Sequence, residues 1–168
     1  MTFSIPDEPR ATPGGGVLHV PAAEGVVKWM SGDVYTIKAA RSDTNGTLSF
    51  VHAIVPPGSG PVAHSHGAED EAFYLLSGEL EFLDGEKTFV AEAGSFVFIP
   101  RRHRHRFKNI SSKPAETLFL FTPAGPEQLF VQGGDEPVPG ALPEPWAPER
   151  FMKLAPLIEQ LGSTILPE

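Results

Sequence analysis

Gly58-Ser-Gly-Pro-Val-Ala-His64-Ser-His66-Gly-Ala-Glu69-Asp70-Glu71, running on to Gly78, is the stretch on which the reading of this chain turns. Successive side chains on a strand point to opposite faces, so His64 and His66 project to the same side. A second block, Gly94-Ser-Phe-Val-Phe-Ile-Pro100-Arg-Arg-His103-Arg-His105-Arg-Phe-Lys-Asn109, brings further histidines from a distant strand. Two imidazoles on one face, a carboxylate a few residues on and a third imidazole from elsewhere can close on one divalent ion. A lone strand histidine carries little information. The joint spacing of these groups, in blocks bounded by turn-forming Gly and Pro, predicts a metal site.

The residues alone leave some choices open. Of the three adjacent acids, Glu71 is favoured because it opens the next apolar strand, where a carboxylate is held rigidly and points inward. Asp70 would point the opposite way, and Glu69 lies in the connecting turn. His103 and His105 share a face, so parity does not choose between them, although His103 reads more readily as a neighbour of the site. His52 sits on a strand and reads as a packed or hydrogen-bonded histidine, and His19 has no context. Three neutral imidazoles and one carboxylate accept Mn, Fe, Co, Ni, Cu or Zn, a single divalent transition metal of open identity. Open positions on such an ion suit Lewis-acid and oxygen chemistry equally.

Outward from these blocks the chain is β-rich from about Val17 to Pro123. Its strand signals are Val34-Tyr-Thr-Ile-Lys, Thr47-Leu-Ser-Phe-Val-His-Ala-Ile-Val, Ala72-Phe-Tyr-Leu-Leu, Glu79-Leu-Glu-Phe-Leu, Ser95-Phe-Val-Phe-Ile and Thr117-Leu-Phe-Leu-Phe-Thr. Asn45-Gly46 and Asp84-Gly85 read as tight turns whose residues take positive φ. Many short antiparallel strands with hairpin turns imply a sandwich or barrel. Residues 1–16, rich in Pro and Gly, read as an arm, residues 17–124 as the barrel and 125–168 as a C-terminal extension. Within the extension, 126–130 could form one helical turn. From Pro148, the recurrence of Phe151, Leu154, Leu157, Ile158 and Leu161 predicts an amphipathic helix that stops at Gly162 and packs on the barrel or covers its mouth. Nothing is assigned after it.

The 168 residues suit one domain, and a formal net charge of -8 argues against general affinity for nucleic acid or anionic lipid. The basic run Arg101, Arg102, Arg104, Arg106 and Lys108 reads as a solvated outer face. No apolar run reaches the roughly 20 residues of a membrane helix. The start of the chain lacks the pattern of a secretory signal, and there is no cysteine. A cytoplasmic location is expected, with no nucleic-acid or membrane partner.

The two blocks resemble the signature motifs of the cupin superfamily. Gly58, His64, His66, Glu71 and Gly78 fall on the first motif, and Gly94, Pro100, His105 and Asn109 on the second. Arg102 departs from it, standing where the pattern usually has Gly. The resemblance implies an all-β fold, a double-stranded β-barrel (jelly roll) with an N-terminal arm and a C-terminal α-helix, and the metal ligands His64, His66, Glu71 and His105. A narrower resemblance, from about Trp29 to Phe130, is to single-domain cupins of the quercetin 2,3-dioxygenase-like group. It rests on Gly32-Asp-Val-Tyr-Thr-Ile, Val55-Pro-Pro-Gly, Glu69-Asp-Glu-Ala-Phe-Tyr-Leu-Leu-Ser-Gly-Glu, Gly94-Ser-Phe-Val-Phe-Ile-Pro and Phe121-Thr-Pro-Ala-Gly.

That likeness implies a metal-dependent dioxygenase that ring-cleaves a flavonol or similar aromatic enol with O2, with Glu71 as ligand and as catalytic base or hydrogen-bond partner for the substrate oxygen, and a homodimer. Phe50, Phe73, Phe96, Phe98, Phe107, Phe119 and Phe121 are available to line an apolar cavity, one or two of them against the substrate. The alternatives are a non-oxidative isomerase or polyketide cyclase using the same metal, and a small-molecule-binding protein without turnover.

Overall fold

The computed structural model describes residues 16–168, so the expected arm over 1–16 falls outside it except for Gly16. Eleven strands and two helices follow in chain order. They are β1 (Val26–Met30), β2 (Asp33–Ala39), β3 (Ser49–Val55), β4 (His64–His66), β5 (Asp70–Ser77), β6 (Glu79–Asp84), β7 (Lys87–Glu92), β8 (Phe96–Ile99), β9 (His105–Lys108), β10 (Ala115–Thr122), α1 (Gln128–Gly133), α2 (Pro148–Gln160) and β11 (Ser163–Ile165). They form two antiparallel sheets, one ordered β1-β2-β3-β10-β5-β8 and the other β11-β4-β9-β6-β7. This is the expected all-β barrel with a C-terminal helix. Among the described residues no helix is long and apolar enough to cross a membrane.

Alternation along the strands builds the core. On β10, Ala115, Thr117, Phe119 and Phe121 are buried, while Glu116, Leu118, Leu120 and Thr122 lie on the other face. Phe73 from β5 is 1% exposed and lies at the centre. It meets Phe82 of β6 at 5.1 Å and Phe107 of β9 at 5.6 Å, both edge to face, and stacks on Phe119 at 5.3 Å. These rings lock one sheet to the other, in the geometry aromatic quadrupoles favour.

The turns differ in detail from the expected ones. Asn45 and Gly46 both have positive φ, 53° and 77°, but in a longer loop between β2 and β3. At the other hairpin Asp84 pairs with Lys87, so Asp84 ends its strand and the turn is Gly85-Glu86. Only Gly85 there has positive φ, at 62°. In the extension, α1 is longer than a single turn, and its Phe130 stacks on Tyr35 at 4.1 Å. Helix α2 covers the predicted span. Leu154 and Leu157 are buried in the core, Ile158 and Leu161 pack at its margin, and Gly162 (φ 74°) follows the last turn. The chain then adds β11, a strand the sequence did not announce.

Inside the barrel, the Tyr35 hydroxyl donates to Asp33 Oδ2 at 2.7 Å, and Asp33 Oδ1 has no hydrogen-bond partner. Burial pushes the Asp33 carboxyl up to about 6, against the lowering effect of bonds from Ser59 and Tyr35. A carboxyl raised above its unfolded value of 3.8 contributes stability that is complete below pH 3.8 and lost as pH rises through about 6. At about 1.4 kcal/mol per unit, the loss is on the order of 3 kcal/mol. Asp33→Asn is therefore expected to gain about that much relative to wild type between pH 3 and pH 8, as read from urea unfolding at the two pH values.

The outward side of the six-stranded sheet is apolar across four strands. Leu118 lies beside Tyr74, and Tyr74 beside Phe96; in the next row Phe50, Leu120, Ala72 and Phe98 run side by side. Tyr74, Leu76, Phe96 and Phe98 are all exposed.

Candidate metal centre

Strand β4 is only three residues long, but it carries both His64 and His66, and its pairing with β9 sets His64 opposite His105. Glu71 comes from the facing sheet. It is the inward residue next to the start of β5, in line with Phe73 and Leu75, and its strand neighbours are Phe121 and Ile99. The structure thus brings His64, His66, Glu71 and His105 together in the barrel interior. One ligand atom from each lies within 4.8 Å of the others. His66, Glu71 and His105 are buried, and His64 is the partly open member.

The hydrogen bonds aim the rings. His64 Nδ1 meets the Val62 carbonyl at 2.8 Å, His105 Nδ1 the His103 carbonyl at 2.9 Å, and His66 Nδ1 the Ser163 hydroxyl at 2.9 Å. An imidazole that donates through Nδ1 presents Nε2 to the site. Nε2 of His105 lies 2.9 Å from Glu71 Oε2, and Nε2 of His66 lies 3.4 Å from the same oxygen. His66 Nε2 is buried with no hydrogen-bond partner. Phe121 presses on the His66 ring at 5.2 Å, edge to face.

Charge follows from this crowding. Burial opposes ionisation of Glu71, but the contacts from His105 and His66 outweigh it and hold the carboxyl at about 2. For His64, burial and then the neighbouring imidazoles His105 and His66 push the ring down to about 4. At His105 burial favours the neutral ring, yet the Glu71 carboxylate prevails and raises it. A buried carboxylate, an imidazole kept neutral and an orphaned Nε2 aimed at the same point form a donor set that fits a divalent transition metal. Ligands at right angles on an ion with bonds of 2.0–2.2 Å stand about 3 Å apart, close to the two separations from Glu71 Oε2. The cluster could hold a metal ion.

The remaining candidates lie elsewhere. Asp70 faces outward and takes two hydrogen bonds from the Arg101 guanidinium, at 2.8 and 3.1 Å. The Glu69 carboxylate accepts from the Ala68 N–H. His103 is half-buried and bonds Asp84 at 2.6 Å, and only its backbone carbonyl supports His105. His52 pairs with Glu116 at 2.6 Å. The basic run is an outer face tied down by acids and carbonyls: Arg106 meets Glu81 and Glu168, and Arg104 meets the Pro167 and Gly85 carbonyls. Arg102 has φ 67°, a left-handed conformation that explains why glycine suits this position. Its N–H donates to the His66 carbonyl at 2.6 Å and its Nε–H to the Gly67 carbonyl at 3.2 Å, so the strained residue buttresses the metal-bearing strand. Of the seven phenylalanines, Phe121 touches a site imidazole, whereas Phe96 and Phe98 point outward. Ser163 is the site contact that sequence reasoning missed; a short Ser-Thr-Ile segment after a helix gives no periodic signal.

Residues 51–121 match the cupin domain family. The crystal structure of a predicted oxalate decarboxylase from Thermotoga maritima superposes with a TM-score of 0.59 at 23% identity, covering 63% of this chain and 99% of that one. The barrel has the cupin fold. Polyketide synthase CurC of Streptomyces cyaneus is 38% identical over 85 residues, 50% of this chain and 53% of that protein. The oxalate-binding protein of Thermotoga maritima is 33% identical over 74 residues, 44% of this chain and 61% of that protein. The chain therefore spans between about half and three fifths of these two curated relatives.

Proposed function

We propose that this cupin is a metal-dependent enzyme that takes an aromatic enol through its oxygen and cleaves the ring with O2, as a flavonol dioxygenase does. The observation that supports it most is the convergence of His64, His66, Glu71 and His105 on one buried point with His64 left partly open. A divalent metal held there by these four residues would supply Lewis acidity and, if redox-active, a route for electrons between substrate and O2. Glu71 is ionised at neutral pH, so a carboxylate oxygen is available to accept the hydroxyl proton of an arriving enol. Phe121, packed against the His66 ring, makes the adjoining wall apolar, which favours a flat aromatic substrate.

The test is oxygen uptake with carbon monoxide detection, on protein loaded separately with Mn, Fe, Co, Ni, Cu and Zn and offered quercetin. Metal-dependent uptake with carbon monoxide release supports the reading; silence on protein shown to be loaded contradicts it. The likeness to a polyketide synthase protein favours a second reading, non-oxidative isomerisation or cyclisation of a polyketide-like enol. There Glu71 would shuttle a proton between oxygen and carbon. Metal-dependent exchange of the substrate α-hydrogen in D2O under argon, without oxygen uptake, separates the two.

The apolar outer face of the six-stranded sheet supports a homodimer. Its exposed Tyr74, Leu76, Phe96 and Phe98 form an apolar patch of the kind that marks interaction sites, a fitting centre for an interface of roughly 800 Å2 per partner. Tyr74→Glu with Phe96→Glu is expected to halve the mass measured by light scattering. An unchanged mass would remove this face from the assembly.

A further inference from the structure

We infer that Ser163 is a positioning residue of the metal centre, and that the C-terminal strand β11 completes a site the barrel alone leaves unfinished. The inference rests on the metal-site reading above. His64 and His105 are aimed by carbonyls two residues back in their own segments, Val62 and His103. Those acceptors are backbone and survive any side-chain change. His66 is different. Its Nδ1 partner is the Ser163 side chain, 97 residues further along and outside the span 51–121 that matches the family.

The contact is built into the sheet. Strand β11 pairs with β4 in a register that sets Ser163 opposite His66, Thr164 opposite Ser65 and Ile165 opposite His64. Two further backbone bonds bracket the pair, Gly67 N–H to the Gly162 carbonyl and Leu166 N–H to the Ala63 carbonyl, each 2.9 Å. The approach is close enough that a Cβ on Gly67 would stand 2.8 Å from the Gly162 oxygen. Upstream, Leu157 anchors α2 in the core; downstream, Arg104 holds the Pro167 carbonyl and Arg106 the Glu168 carboxylate. The hydroxyl is thus fixed from both ends.

Its chemical effect is specific. With Ser163 Oγ accepting from Nδ1–H, the His66 ring is held in one orientation and its Nε2 keeps the lone pair that a metal takes. That Nε2 is the buried nitrogen with no partner. Removing the hydroxyl frees the ring to turn and strands Nδ1–H, and losing such a supporting partner typically weakens metal binding by roughly 10–100-fold.

The test compares full-length Ser163→Val and Ser163→Thr, which have the same shape and differ in the hydroxyl. Metal-stripped proteins are titrated with Co2+ against a competing chelator, and the visible spectrum of the bound ion is recorded. Ser163→Val is expected to bind Co2+ about 10–100-fold more weakly with an altered spectrum, and Ser163→Thr to stay within about threefold of wild type. Thr164→Ala, exposed on the same strand, is expected to bind as wild type does. Equal affinities for the Val and Thr variants, or an equal loss in Thr164→Ala, would overturn the role of the hydroxyl while leaving the metal site standing. Failure of wild type itself to bind Co2+ would overturn the metal reading, and this inference with it.

Discussion

His105→Ala is expected to bind divalent transition metals more than about 100-fold more weakly than wild type, beyond the effect of losing a supporting hydrogen bond, and to show no turnover. The substitution removes one of four donors and also the partner that most strongly holds the Glu71 carboxylate ionised. A buried carboxylate without that partner drifts toward its neutral form, so the centre loses a second donor in part. Competitive titration of metal-stripped protein measures the loss. His103→Ala is the informative control. Its ring points to Asp84, and the carbonyl that orients His105 persists in alanine. Its affinity is expected to stay near wild type; a matching loss would move the ligand role to His103.

Phe73→Ala is expected to lower the unfolding free energy by about 3–5 kcal/mol. That is a large fraction of the roughly 5–15 kcal/mol that holds a domain together. The ring is 1% exposed and touches Phe82, Phe107 and Phe119, so its loss opens a cavity where the two sheets meet. Phe98 is 54% exposed on the outward face of β8, and Phe98→Ala is expected to change the unfolding free energy of the isolated chain by less than about 1 kcal/mol. Urea unfolding of the metal-free proteins checks the pair. Similar losses at both positions would contradict the assignment of Phe73 as the link between sheets.

These two experiments probe the parts of the molecule that were most legible in the sequence. Strand parity placed Glu71 inward with Phe73 and Leu75 and turned Asp70 outward, where Arg101 holds it. The helical recurrence from Phe151 to Leu161 marked α2, because an amphipathic period over three turns is a strong signal. Parity could not separate His103 from His105. The answer depends on where β9 begins, and it begins at His105, leaving His103 in the turn. Strands of three residues, β4 and β11, are too short for a period to show. They exist because of their partners across the sheet, which is tertiary information. Ser163 was invisible for the same reason. The Asp84-Gly85 turn shifted by one residue because Asp84 completes the pairing of β6 with β7.

The most direct test of the central claim is anomalous X-ray scattering from crystals of the protein grown with Co2+, with data collected at the cobalt absorption edge. A single strong peak within coordination distance of His64, His66, Glu71 and His105, each at roughly 2.0–2.2 Å, is the predicted result. A peak confined to the protein surface, or none in the barrel interior, would contradict it.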